Sequence, residues 1–79
     1  MRDQLRNFIT SELMRDPDYD LKDDEALISG GLIDSFSLVE LQLFVEQEFG
    51  VFIQDTDLTA DSADSINAII GLIEQASEN

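Results

Sequence analysis

The stretch Phe36-Ser37-Leu38-Val39-Glu40-Leu41-Gln42-Leu43-Phe44-Val45-Glu46-Gln47-Glu48-Phe49 decides the fold. Leu38, Leu41, Val45 and Phe49 recur at spacings of three and four, which marks one face of an α-helix. Phe36, Val39, Leu43 and Phe44 widen the apolar surface beyond that face. Gly50 follows as a helix terminator, because glycine readily takes the left-handed conformation that closes a helix. The spacing predicts a helix over 36–49. A helix so broadly apolar is either deeply buried or keeps part of its surface for a partner. In a chain of 79 residues complete burial is hard to arrange, so docking gains weight.

Working outward, Leu5, Phe8, Ile9 and Leu13 carry the same periodicity and predict a helix over 3–15, stopped by Pro17. A long acidic connection then runs to Asp34. Its apolar residues Tyr19, Leu21, Leu27, Ile28, Leu32 and Ile33 are expected to pack onto the core, and Gly30-Gly31 breaks any regular element there. Beyond Gly50, Val51-Phe52-Ile53 lacks a convincing strand partner and reads as a buried connection. A single helical turn is expected around Leu58. Ile66, Ile69, Ile70 and Ile73 mark a last helix over 65–76, with Ser62 or Asp64 as its N-cap. The fold class is all-α: one domain spanning 1–79, with three main helices, a short fourth and a long first loop.

Charge narrows the function. Four basic residues stand against 18 acidic ones, a net charge of −14, with no histidine, cysteine or tryptophan. Disulfides, thiolate nucleophiles, imidazole bases and zinc sites are excluded, and self-contained hydrolytic or redox chemistry becomes an improbable role. Phosphate-rich partners are repelled, so neither nucleic acid nor an anionic membrane is expected. No run approaches the length of a membrane span and no charged-then-apolar leader opens the chain, so the cytosol is the expected location. All four cations, Arg2, Arg6, Arg15 and Lys22, lie early in the chain. The uncompensated carboxylates after them suit either solubility or basic partners.

Two aspartate-rich stretches raise calcium binding. Asp16, Asp18 and Asp20 alternate like the first ligands of an EF-hand loop, which needs glycine at its sixth position and glutamate at its twelfth. Leu21 and Leu27 stand there instead. A loop beginning at Asp55 and Asp57 meets Ala60 and Ile66 at those positions. Both fail, and only loose cation association is left.

The second constellation is Gly31-Leu32-Ile33-Asp34-Ser35-Phe36-Ser37-Leu38-Val39-Glu40-Leu41. Ser37 and Glu40 form an S-x-x-E capping box, which would start the helix at Ser37 and leave Ser35 just outside it. Alternatively Ser35 is an exposed hydroxyl for a visiting enzyme, with flanking apolar residues such as Phe36 shaping the turn. A helix N-terminus stabilises an added phosphodiester, because its unpaired N–H groups and dipole favour negative charge. With no histidine to activate it, Ser35 would be an attachment point and not a nucleophile. Spacing alone leaves both readings open.

Asp34-Ser35-Phe36, Val39-Glu40-Leu41 and Glu46-Gln47-Glu48-Phe49-Gly50 together resemble the acyl carrier protein family around its Asp-Ser-Leu motif. Length, acidity, helix order and the preceding Gly31-Leu32 extend the resemblance over essentially the whole chain. It implies a non-enzymatic carrier with 4′-phosphopantetheine on Ser35, transferred from coenzyme A by a Mg²⁺-dependent phosphopantetheinyl transferase. Asp34 would help place phosphate and metal during loading. The cofactor would supply the thiol that the sequence lacks. Ser37, Glu40, Leu43, Phe44, Glu46 and Gln47 would form the docking surface for acyl- or aminoacyl-loading ligases and acyl-processing enzymes with basic patches. Leu41, Val45, Phe49, Ile53, Ile66, Ile69, Ile70 and Ile73 would be core, around a cavity for the acyl chain. The carrier would be a monomer serving fatty-acid, lipid or polyketide-type synthesis.

Phe36 stands where relatives most often have leucine, Gln54 where many have proline, and Gln47 where glutamate is frequent. These departures point toward a specialised freestanding carrier. An aminoacyl or D-alanyl carrier, similar in its G-L-[IL]-D-S-F pattern, is the near alternative. An acidic interaction or cation-binding protein without a prosthetic group is the alternative from another class.

Overall fold

The computed structural model describes residues 1–77. Three helices form a small all-α bundle, with no strand among the described residues. Helix α1 spans Arg2–Phe8 and continues as a π-helical turn over Ile9–Leu13. The buried Thr10 hydroxyl donates to the Arg6 carbonyl at 3.0 Å, taking an acceptor that α-helical winding would give to an amide. Met14 N–H instead reaches back to Ile9 O at 2.8 Å. The helix predicted over 3–15 thus ends earlier than Pro17 requires. Arg15 takes a left-handed φ of 55°, and the next amide, of Asp16, closes onto Thr10 O.

Helix α2 spans Ser35–Phe49 and is closed by Gly50 at φ 68°. Its start corrects the capping-box expectation. Asp34 is the N-cap, its carboxylate accepting from Ser37 N–H, so Ser35 lies inside the helix as its first residue. A 3₁₀ turn over Asp55–Asp57 precedes Leu58, and helix α3 spans Ile66–Ser77. The N-cap of α3 is Ser65, whose hydroxyl accepts from Ala68 N–H at 3.1 Å, and neither Ser62 nor Asp64.

The core joins Leu5 and Ile9, Leu41 and Val45 of α2, and Ile66, Ile69 and Ile73 of α3. Much of it also comes from outside the helices: Leu21, Leu27 and Ile33 of the first loop, then Val51, Ile53, Leu58 and Ala63. The long loop packs onto the core as its apolar residues predict. Phe49, expected in the core, is only half-buried at its edge. Val51-Phe52-Ile53 is not wholly buried either. Its extended backbone alternates faces, which sends Phe52 outward at 59% exposure.

Gly30 and Gly31 shape the loop for separate reasons. A Cβ at Gly30 would fall 2.3 Å from the Ala26 carbonyl oxygen, and Gly31 has φ +77°. Asp64 ties this turn to the entry of α3. Its carboxylate accepts from Ile28 N–H at 2.7 Å, from Ser29 N–H at 2.9 Å and from the Ser29 hydroxyl. The Asp64 carbonyl accepts from Leu27 N–H at 2.7 Å. The segment that delivers Ser35 is therefore held from both ends.

Candidate functional site

Ser35 is exposed at the first position of α2. Asp34 before it has extended backbone, φ −113° and ψ −175°, and turns the chain into the helix. Its Oδ1 accepts from Ser37 N–H at 2.9 Å, and Asp34 O accepts from Leu38 N–H at 3.1 Å. The Ser37 amide, and after it the Ser37 side chain, hold the Asp34 carboxyl below its ordinary pKa. The serine thus sits where the first-turn amides and the positive end of the helix dipole favour an attached anion.

Phe36 is 82% exposed, Val39 56% and Leu43 52%. Their spacings of three and four align them as an apolar stripe running down α2 from the serine. Exposed Glu40, Glu46 and Gln47 flank it. From Ser35 to Gln47 this surface extends about 18 Å at helical rise. The arrangement offers apolar anchorage bordered by negative charge, suited to a partner face with an apolar centre and a basic rim.

Two residues predicted for this surface are half-buried. Phe44 stacks on Phe8 with ring centroids 4.1 Å apart and meets the Phe49 edge at 5.8 Å. Apolar attraction to α1 turns it toward Phe8, half-buried beside the buried Leu41 and Val45. Ser37 is half-buried in the first turn, its amide engaged by Asp34. Val39, in turn, was absent from the predicted surface, although it is well exposed.

Gln42 was also missed. It is 9% exposed, and its amide donates to Ile53 O and to Asp55 Oδ1, the latter at 2.8 Å. This fastens the chain leaving α2 back onto the helix. A polar residue between apolar neighbours carried no sequence signal of such a role. The expected acyl cavity is not among the surface clefts around Phe52, Phe44 and Asp23, of whose linings only Ile53 belongs to the predicted set. Among the described residues, no group of three or more Asp, Glu, His or Cys side chains is placed to hold a metal ion. No helix there is long and apolar enough to cross a membrane.

No protein-family model matches the chain, and no curated protein matches it. Among solved structures it is similar to a chain titled "Crystal structure of FAD-dependent dehydrogenase", with a TM-score of 0.76 and 28% sequence identity. The match covers 86% of this chain and 96% of that one, so the two are of comparable length.

Proposed function

We propose that this protein is a carrier that holds acyl groups as thioesters on a 4′-phosphopantetheine arm attached to Ser35. The observation that carries this reading is the exposed Ser35 hydroxyl at the capped start of α2, beside an unpartnered apolar stripe. Ser35 would hold the phosphodiester and the first-turn amides of α2 would offset its charge. Asp34 keeps the helix start in place through Ser37 N–H while leaving the serine uncovered. The arm would supply the thiol chemistry that a chain without cysteine lacks. The chain itself would catalyse nothing. A separate Mg²⁺-dependent transferase would load it from coenzyme A in the cytosol, and basic enzymes of acyl metabolism would engage α2. An aminoacyl cargo fits the same geometry, since loading partners choose the cargo.

The test is direct. The full chain is incubated with coenzyme A, Mg²⁺ and a broad-specificity phosphopantetheinyl transferase, then weighed by mass spectrometry. One added phosphopantetheine, absent in Ser35→Ala, is expected; an unchanged mass overturns the carrier reading in favour of an acidic interaction protein.

The similarity to a solved FAD-dependent dehydrogenase chain motivates a second reading, in which this protein serves flavin-dependent dehydrogenation. At net charge −14 the chain repels a pyrophosphate, so a flavin enzyme would be its partner rather than its own activity. Flavin fluorescence unchanged on adding this protein to FAD is the expected result.

A further inference from the structure

We propose that a second docking site lies in the groove between α1 and α2, and that it receives an arginine side chain from a basic segment of a partner protein. The groove is an open surface depression of about 430 Å³. The stacked Phe8–Phe44 pair lies in it, exposed Glu12 and Glu48 line it, and Asn7 and Ser11 add polar edges. No cation lines it.

Arginine matches this lining better than other residues. Its aliphatic stem covers ring surface, and its planar head stacks on aromatics and binds carboxylates with two parallel hydrogen bonds. Lysine brings only a compact, strongly hydrated charge. A second copy of this chain is a poor occupant. Two bodies of net charge −14 repel each other.

Phe44 lies nine residues beyond Ser35, two and a half turns, so the groove opens on the opposite side of α2 and about 14 Å further along. A partner could therefore grip it while leaving the serine free. The site does not depend on what Ser35 carries.

The experiment titrates the full ¹⁵N-labelled chain with a capped, alanine-based helical peptide bearing arginines four residues apart, monitored by NMR. Saturating shifts confined to residues 4–12 and 44–48 are expected. Replacing the arginines by citrulline, or making Glu12→Gln with Glu48→Gln in the protein, should weaken binding about tenfold, because charge-assisted pairs are lost. Both glutamates are exposed, and circular dichroism checks that the double variant stays folded. Shifts centred on Phe36, Val39 and Leu43, shifts spread over the acidic residues at large, equal affinity for the citrulline peptide, or no saturation at millimolar peptide each overturn the proposal. Shifts that grow with protein concentration without peptide assign the groove to a second copy and overturn it likewise. Ser35→Ala, run in parallel, should bind as the parent does, which keeps this test separate from that of the carrier reading.

Discussion

Asp34 and Asp64 hold the two ends of the Ser35-bearing segment with the same chemistry, a carboxylate accepting from backbone N–H groups. The Ser29 hydroxyl first, then the Ser29 amide, lower the Asp64 carboxyl below its ordinary pKa. A depressed folded-state value stabilises the protein above the ordinary carboxylate range, and that stabilisation is lost as pH falls through the depressed value. The gap in thermal midpoint between the parent and Asp64→Ala should therefore be constant near neutrality and close in acid. A gap that widens below pH ~4 would contradict this. Two backbone positions give predictions of opposite sign. Gly31→Ala should destabilise by about 1 kcal/mol, since its left-handed φ resists a Cβ although space for one exists. Arg15→Gly should stabilise by a similar ~1 kcal/mol by relieving a left-handed non-glycine residue, as urea denaturation would measure.

At the scale of the element, α2 shows what periodicity conveys and what it omits. The Leu41–Val45 face, the Gly50 terminator and an outward apolar remainder were legible from spacing. Which remaining residues face outward was not, because that depends on where α1 lies. Phe8 claims Phe44, and Val39 stays exposed. Phe44→Ala should accordingly cost about 1–3 kcal/mol, short of a fully buried phenylalanine, while Leu43→Ala should stay within ~0.5 kcal/mol. The start of α2 was ambiguous for a related reason. Asp34–Ser37 and Ser37–Glu40 are both viable caps in sequence, and the loop path held by Gly31 and Asp64 selects the first. On the carrier proposal, Glu40→Lys with Glu46→Lys should leave helicity unchanged yet slow turnover by partner enzymes at low salt; equal turnover would remove these residues from the proposed docking surface.

For the whole molecule, charge is the dominant tension. The fold is compact, with a radius of gyration of 11.3 Å, and carries a net charge of −14 within it. Arg2 and Arg6 converge on Asp23, and Asn67 N–H donates to Asp23 O, so scarce cations tie α1, the first loop and α3 together. Added salt should screen the remaining repulsion and raise the thermal midpoint over the first few hundred millimolar, and a flat response would argue against self-repulsion as a main cost. From sequence alone came the all-α class, the helices and the loop's apolar anchors, because periodicity, glycine placement and capping chemistry act over a few residues; spacing left Ser35 open, and only the family resemblance favoured it. The tertiary structure alone decided that Ser35 lies inside α2, that Phe44 turns inward and Val39 outward, and that Asp64 and Gln42 bind distant backbone. Those outcomes depend on which elements meet across the core, and contacts between residues far apart in the chain leave no mark in local spacing.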